Sequence, residues 1–190
     1  MQSINYSNIG KAIDFYQSLD YEYIEVPWIV SEHAINATLP PGAIATKTNM
    51  GYLVGSAEQA FVEMMLKNQL KNKKYVAASP CFRDEIEDEW HQKTFFKVEL
   101  ISIFESGNLE EIYPFVKQMI GDAYSFFQSL DTNNLKIEKT FLYENTFMLH
   151  DINLNGIEIG SYGIRKFEHL TWIYGTGLAE PRFSMAKKYE

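Results

Sequence analysis

Segments that read as β-strands follow one another along much of this chain, and few helices separate them. In the second half of the chain four of them come in close succession, at 136–143, 148–153, 156–163 and from residue 170 onward. A doubly wound parallel sheet would need regular alternation of strand and helix, and the chain has no such alternation. The sequence therefore predicts an α+β fold, in which a mainly antiparallel β-sheet is flanked by helices.

The first half of the chain adds two clear strands and one that is interrupted. The clear ones are predicted at 75–79 and 94–104. The segment 21–30 also has strand character, but it contains Pro27. Proline cannot donate a hydrogen bond within a sheet, so this strand is expected at an edge or an interface.

Helices are predicted where apolar residues recur at helical spacing. One covers 9–19, with Asn8 as its cap, and others cover 57–70 and 109–130. The last segment, 170–190, is predicted to be a strand, a glycine turn and a helix. The sequence thus predicts a few helices packed on one sheet.

Length and composition favour one globular domain, residues 1–190, with a sizeable core. The formal net charge of −8 opposes non-specific binding to nucleic acid. The single cysteine, Cys81, fits a reducing compartment. No apolar run approaches the roughly 20 residues of a membrane span. We therefore expect a cytoplasmic protein without a membrane partner.

The segment 81–101, "CFRDEIEDEWHQKTFFKVELI", is the most unusual stretch of the chain. Read as a strand, a loop and a return strand, it brings together Arg83, His91 and Phe95. A guanidinium holds phosphate through forked donors, and an aromatic ring can stack on a base, so this set suits a nucleotide. The spacing alone favours another interpretation, a polar hairpin tip with ion pairs among Arg83, Asp84 and Glu87.

Two later segments add groups that a nucleotide would need. "YGTGLAEPR" places two glycines before a helix that contains Arg182; glycines allow close backbone approach and a helix start favours an anion. "EIGS" places Glu158 and Ser161 near one strand end, and a carboxylate with a hydroxyl suits Mg²⁺. Taken alone, such glycines usually mark only a turn, and Glu158 alone is most simply a solvated acid.

Taken together and in order, these segments resemble the catalytic core of class II aminoacyl-tRNA synthetases, the seryl type most closely. The resemblance covers essentially the whole chain. The segments that match the three motifs of the class are "AIDFYQSLDYEYIEVP" (12–27), "FRDE" (82–85) with "HQKTF" (91–95), and "GTGLAEPR" (175–182). Seryl-like features are "SAE" (56–58), "KVEL" (97–100) and "EIGS" (158–161).

The resemblance implies ATP-dependent activation of an amino acid, in which the carboxylate attacks the α-phosphorus and pyrophosphate leaves. It implies that Arg83 and Arg182 are the catalytic residues. The residues implied to bind ATP are Arg83 at the α-phosphate, Glu85 at the adenine amino group, Phe95 under the adenine, Arg182 over it and at the γ-phosphate, and His91 at the γ-phosphate. The resemblance also implies that Glu158 and Ser161 hold Mg²⁺.

The resemblance further implies an amino-acid site and an oligomeric state. The residues that match amino-acid-binding positions are Ser56, Glu58, Glu99 and Thr176, and the Glu58 carboxylate would pair with the ammonium group. In the class, the first motif forms a two-fold interface. Since Pro27 ends that motif here, a homodimer is expected.

The chain also departs from the class. Synthetases carry a separate region that recognises tRNA, for which this chain has no room. The loop between Arg83 and His91 reads "DEIEDEW", and its acids would repel a phosphate backbone. We therefore expect tRNA not to be a partner, and an acceptor such as a carrier protein, a small molecule or a modified nucleobase.

The sequence is also compatible with two other functions. The chain could be an inactive synthetase paralogue that binds a ligand or regulates a partner, or a tRNA synthetase core that needs a separate tRNA-binding chain. Retention of Arg83, Glu85, Phe95, Glu158 and Arg182 favours activity, because a decaying site usually loses its arginines first. The sequence names neither the amino acid nor the acceptor.

Overall fold

The structure, a computed structural model, describes residues 3–84, 86–105, 108–140 and 146–189. Within these ranges the chain forms five α-helices and ten β-strands. In chain order they are α1 (Tyr6–Gln17), β1 (Glu22–Tyr23), β2 (Ile29–Val30), α2 (Glu32–Asn36), β3 (Lys47–Thr48), β4 (Gly51–Leu53), α3 (Ala57–Leu66), β5 (Lys74–Phe82), β6 (Thr94–Phe104), α4 (Leu109–Ser129), β7 (Leu135–Lys139), β8 (Thr146–Leu154), β9 (Ile157–Phe167), β10 (Leu170–Glu180) and α5 (Arg182–Lys187).

Seven strands form one large sheet, in the order β1–β5–β6–β10–β9–β8–β7. Strands β2, β4 and β3 form a second, small sheet. Among the described strands, every neighbouring pair is antiparallel except β1 with β5. The predicted α+β fold with a mainly antiparallel sheet is confirmed.

Both faces of the large sheet are covered. Helices α1, α4 and α5 pack on one face, and α3 packs on the other beside α2 and the small sheet. Successive residues of a strand point to opposite faces, so Ile173 of β10 joins the core under α1 and α4, whereas Trp172 and Tyr174 join the core under α3. Beyond α3, this second face is open to a cavity.

The helices differ from their predicted bounds mainly at the ends. Helix α4 lies within one residue of its predicted end, and α3 ends at Leu66 rather than at residue 70. The prediction of Asn8 as a helix cap is wrong, because α1 begins at Tyr6 and its cap is Asn5. The Asn8 side chain instead donates to Glu180 Oε1, 2.8 Å away. No helix among the described residues is both long and apolar enough to cross a lipid bilayer.

The predicted strands also need two adjustments. The segment 21–30 forms two strands of two residues each on either side of Pro27, rather than one interrupted strand. The segment 136–143 is a strand as far as Lys139, and residues 141–143 lie outside the described ranges.

The predicted glycine turn in the segment 170–190 is wrong. Gly175 and Gly177 lie inside β10, which runs without interruption to Glu180. A Cβ on Gly175 would lie 2.5 Å from the ring of Tyr162, and one on Gly177 would lie 2.7 Å from the ring of Tyr16. These glycines are therefore needed for the close approach of buried tyrosines to the strand and not for a change of direction.

Gly175→Ala is expected to lower the free energy of unfolding by about 1–3 kcal/mol, because an added methyl group in a filled core displaces its neighbours. Gly121→Ala is the control. Gly121 lies in α4, and a Cβ there would meet nothing within 4 Å, so alanine should stabilise by about 0.5–1 kcal/mol. Urea unfolding followed by circular dichroism measures both, and equal stability of the two variants would contradict the packing described for β10.

Candidate active site

A cavity of about 740 Å³ lies on the open part of the sheet face beside α3. Strands β5, β6, β9 and β10 contribute to its walls, as does the loop that follows α2. The chain has three arginines, Arg83, Arg165 and Arg182, and all three line this cavity. Guanidinium groups provide fixed donors that match carboxylate and phosphate. The cavity therefore suits a ligand with several anionic groups.

Most of the site residues predicted from the sequence line this cavity; they are Ser56, Glu58, Arg83, His91, Phe95, Glu158, Ser161, Thr176 and Arg182. Glu99 is fully buried and is not among the residues that line it. Glu85 lies outside the described residues, so its role beside the adenine stays a prediction. The structure thus brings together side chains that are more than 120 residues apart in the sequence, from Ser56 to Arg182.

Strand β6 separates the site from the core through its two-residue period. Phe95 and Lys97 line the cavity, and Glu99 follows on the same face. Val98 and Leu100 point the other way, into the core beneath α1 and α4. One strand therefore fixes both the packing of the helices and the floor of the site.

Two β-bulges bring further side chains into the cavity. In a regular strand, residues three apart point to opposite faces. Strand β9 has an extra residue, Ile159, opposite β8, and β10 has one, Gly177, opposite β6. Because of the first bulge, Glu158 and Ser161 both line the cavity. The second bulge lets the wall of the cavity continue along β10 beyond Thr176.

Arg83 and Phe95 form one part of the wall. The Nε of Arg83 donates to the carbonyl oxygen of Gly55 at 3.0 Å. Its guanidinium carbon lies 5.0 Å from the centre of the Phe95 ring, within the range of a cation–π contact. These contacts fix the plane of the guanidinium before any ligand arrives.

Arg182, the first residue of α5, forms another part of the wall. Its Nε donates to the carbonyl oxygen of Trp90 at 3.1 Å. Its Nη1 lies 3.6 Å from Glu158 Oε1, which is long for a hydrogen bond. Since the Glu158 side chain is 48% exposed, this ion pair is weak. A bound anion could replace Glu158 as the partner of Arg182.

Hydrogen bonds and ion pairs of its own charged residues stabilise the acidic loop between β5 and β6. Asp88 accepts hydrogen bonds at 2.7 Å from the backbone N–H groups of Trp90 and His91, and lies 2.8 Å from His91 Nδ1. The hydrogen bond from His91 holds the pKa of the Asp88 carboxyl below its usual range. The Asp84 carboxylate lies 3.4 Å from Lys93 Nζ. The tip is therefore polar and ion-paired, with partners that include Lys93 and His91.

A second group of charges lies deeper in the molecule. The Ser56 hydroxyl donates to Glu99 Oε2 at 2.5 Å, and Lys97 Nζ lies 2.9 Å from the same oxygen. Ser56 also caps α3 by accepting a hydrogen bond from the N–H of Glu58. Glu99 thus holds Ser56 and Lys97 in place from behind the cavity wall.

Glu58 and Arg165 form the other deep ion pair. Arg165 Nη1 donates to Glu58 Oε2 at 3.0 Å, and the indole N–H of Trp172 donates to Oε1 at 2.7 Å. The guanidinium of Arg165 lies 4.5 Å from the centre of the Tyr174 ring. Burial raises the pKa of the Glu58 carboxyl, and the charge of Arg165 opposes that rise.

Sequence reasoning did not select Arg165, Trp172 or Tyr174. The sequence pattern that identifies them is the two-residue period of the strands. Arg165 lies four residues after Ser161 on β9, and Trp172 and Tyr174 lie four and two residues before Thr176 on β10. Because each is an even number of residues from a predicted site residue, each points to the same face.

Comparisons with known proteins find matches among solved structures. No protein-family profile and no curated protein sequence matches the chain. The cytoplasmic serine-tRNA ligase of Naegleria fowleri, solved in complex with AMP, matches with a TM-score of 0.80 and 18% identity over 95% of this chain and 47% of that one. The seryl-tRNA synthetase of Pyrococcus horikoshii, complexed with ATP, matches with a TM-score of 0.78 and 18% identity over 94% of this chain and 48% of that one.

A pyrrolysyl-tRNA synthetase from Desulfitobacterium hafniense matches with a TM-score of 0.73 and 12% identity, over 96% of this chain and 69% of that one. The chain spans about half the length of the seryl-tRNA synthetases that it matches. At these identities the likeness establishes the fold. The predicted resemblance to class II synthetase catalytic cores, and to the seryl type in particular, is confirmed at that level.

Proposed function

We propose that this chain, which has the fold of class II aminoacyl-tRNA synthetase catalytic domains, activates an amino acid with ATP and transfers it to an acceptor other than tRNA. The observation that carries the proposal is that Arg83, Phe95 and Arg182 all line one cavity. Two proteins with this fold are described as bound to AMP or ATP. Fold alone does not establish an activity; these side chains support the activity proposed.

In this proposal, Arg83 binds the α-phosphate. Its guanidinium is already held by Gly55 and Phe95, so little reorganisation is needed when charge develops on the phosphate. Arg83 contacts one face of the Phe95 ring. The adenine stacks on the Phe95 ring, and Arg182 covers the opposite face of the adenine. The γ-phosphate lies near Arg182 and His91. Asp88 holds Nδ1 of His91, so a phosphate would meet the Nε2 side of the imidazole.

Glu158 and Ser161 fit a magnesium ion that arrives with ATP. The bulge at Ile159 puts a carboxylate and a hydroxyl on the same wall. Mg²⁺ is usually bound by one or two carboxylates together with substrate phosphates and water. No group of three or more metal-ligating side chains occurs among the described residues, so the phosphates would complete the site. Bound there, the ion would neutralise charge on the phosphate oxygens.

The chemistry needs little proton transfer. The amino-acid carboxylate is ionised at neutral pH, and one of its oxygens forms a bond to the α-phosphorus while the bond to pyrophosphate breaks. Ser56, Glu58, Glu99 and Thr176 are proposed to hold the amino acid, with Glu99 acting through Ser56. Catalysis then depends on placing the attacking carboxylate oxygen in line with the bond to pyrophosphate, and on stabilising the charge that develops on the phosphate oxygens. Arg83 and Arg182 are proposed to perform these tasks.

The test is amino-acid-dependent exchange of labelled pyrophosphate into ATP, screened over the twenty amino acids. We expect exchange with at least one of them. Arg83→Ala should slow it by about 10²–10³-fold, the usual cost of losing one transition-state donor, and should weaken ATP binding much less. No exchange with any amino acid would instead support an inactive, ligand-binding paralogue.

Phe95→Ala and Arg182→Ala should each weaken ATP binding about tenfold or more, a loss of roughly 1.4 kcal/mol, because each removes a group proposed to contact the adenine. Phe115→Ala is the control for loss of an aromatic ring: Phe115 is exposed on α4 and does not line the cavity. Isothermal titration calorimetry measures all three. If Phe95→Ala or Arg182→Ala binds ATP like the parent, the proposed adenine site is wrong.

The proposal of an acceptor other than tRNA rests on charge. The chain has 17 Lys and Arg against 25 Asp and Glu, and the loop beside the cavity is acidic. Each contact to a nucleic-acid phosphate needs a nearby cation. Arg83 and Arg182 would be occupied by ATP, so few cations near the site would remain for tRNA. A carrier protein, a small molecule or a modified nucleobase would not meet this barrier.

The purified chain is expected to bind tRNA more weakly than micromolar, and to form no aminoacyl-tRNA. Filter binding at low salt is the most sensitive measurement, because phosphate contacts are strongest there.

The second candidate function is that of a synthetase core whose tRNA-binding part is separate, since the chain spans about half the length of the seryl-tRNA synthetases it matches. Micromolar binding, or charging by this chain alone, would contradict the non-tRNA proposal.

We also propose a homodimer, formed through α1 and the strands around Pro27. Trp28, beside that proline, is 53% exposed, and a large aromatic side chain at the surface suits a two-fold contact. Sedimentation at micromolar concentration should show a species near twice the 22.0 kDa of the chain. A species of the monomer mass alone would show that this surface does not pair.

A further inference from the structure

Arg165 lines the cavity, but it is not among the residues proposed to bind ATP. The other two arginines of the chain are assigned to phosphates. Arg165 lies beside Glu58, one of the residues proposed to hold the amino acid. Its side chain is 20% exposed and lines the cavity. The inference below deepens the proposed function and rests on it.

The geometry around Glu58 differs from that of a simple receptor for an ammonium group. Its Oε1 accepts from Trp172 and its Oε2 accepts from Arg165. An α-ammonium that bound this carboxylate would therefore lie close to the guanidinium of Arg165. Two positive charges would then share one buried negative charge, where water screens them poorly.

A second carboxylate on the substrate would remove this imbalance. With a neutral side chain, Glu58, Arg165 and the ammonium would carry a net charge of about +1 at a mostly buried place, because the α-carboxylate is proposed to lie at the α-phosphorus near Arg83. Glu99 does not offset it, because Lys97 already pairs with that carboxylate at 2.9 Å. An acidic side chain would pair with Arg165 while the ammonium pairs with Glu58, so that positive and negative groups alternate.

The surroundings of Arg165 suit such a role. Its guanidinium lies against the Tyr174 ring, 4.5 Å from the centre. The ring reaches this position because Gly163 has no side chain; a Cβ there would lie 2.9 Å from the Tyr174 hydroxyl oxygen. The contacts with Glu58 and Tyr174 hold the guanidinium in place. A guanidinium carries five N–H donors in a fixed fork that matches a carboxylate, so one that pairs with Glu58 can also bind a second carboxylate.

We propose that this site selects an α-amino acid with a carboxylate side chain, aspartate or glutamate, and that Arg165 is the residue that recognises that carboxylate. The α-carboxylate of the same substrate is the one that reacts with ATP near Arg83. The atoms that react are unchanged from the proposed function; the new element is the class of amino acid.

The experiment compares pyrophosphate exchange with each acid and with its neutral isostere, aspartate with asparagine and glutamate with glutamine. We expect at least one acid to exchange ten times faster than its amide. In Arg165→Gln this ratio should fall close to one, whereas the affinity for ATP, measured separately by calorimetry, should stay near that of the parent. Retained ATP binding shows that the variant is folded.

Lys166→Gln is the matched control. It removes the same charge from the next residue of β9, but Lys166 does not line the cavity and its ammonium lies over the ring of Phe147. The ratio of acid to amide should be unchanged in this variant.

The outcomes separate this inference from the proposed function. Exchange that is fastest with another amino acid, or equal rates with acid and amide, would overturn the inference and leave the proposed function standing. An acid preference that persists in Arg165→Gln would overturn the assignment to Arg165. Absence of exchange with all twenty amino acids would overturn both.

Discussion

The bulge at Gly177 is the constraint on which the site most depends, because it connects the core under α1 with the wall of the cavity. Two buried tyrosines hold it: the hydroxyl of Tyr16 donates to the carbonyl oxygen of Gly177 at 3.0 Å, and that of Tyr162 donates to the carbonyl oxygen of Thr176 at 2.6 Å. Burial raises the pKa of both phenols, so both remain neutral donors. Without this bulge, the residues after Thr176 would point to the opposite face of the sheet. Helix α5, which begins at Arg182, would then leave the strand in a different direction.

Glu180 extends this connection to α5. It is fully buried, and its carboxylate accepts hydrogen bonds from the side chain of Asn8 in α1 and from Ser184 in α5, both at 2.8 Å. Burial raises the pKa of Glu180, and these donors oppose the rise. The carboxylate thus ties two helices to the end of β10. Arg182 lies between Glu180 and Ser184, so the position of its guanidinium depends on this buried polar network as well as on its own contact with Trp90.

The sequence predicted the antiparallel sheet, β6 and α4, because long segments of one period are the strongest sequence signal. Most of the site residues that it predicted line the cavity, because the motifs fix both residue type and spacing. It was wrong about Gly175 and Gly177, since a glycine needed for close approach looks the same in a sequence as one needed for a turn; neither has the positive φ of Gly42 or Gly156. It missed Arg165 because the partner of that arginine, Glu58, lies 107 residues away.

The charges of the cavity belong to two groups that differ in how firmly they are held. Deep in the site, Glu58 and Glu99 are almost completely buried and paired at 3.0 Å or less, so their partners are fixed. Near the mouth, Arg182 and the half-exposed Glu158 are 3.6 Å apart, and this pair can separate at small cost. If phosphates take Arg182, the Glu158 carboxylate is released to a cation. ATP and Mg²⁺ would then each favour the binding of the other, since coupling between two ligands is reciprocal, while the deep pairs, which are proposed to hold the amino acid, stay unchanged.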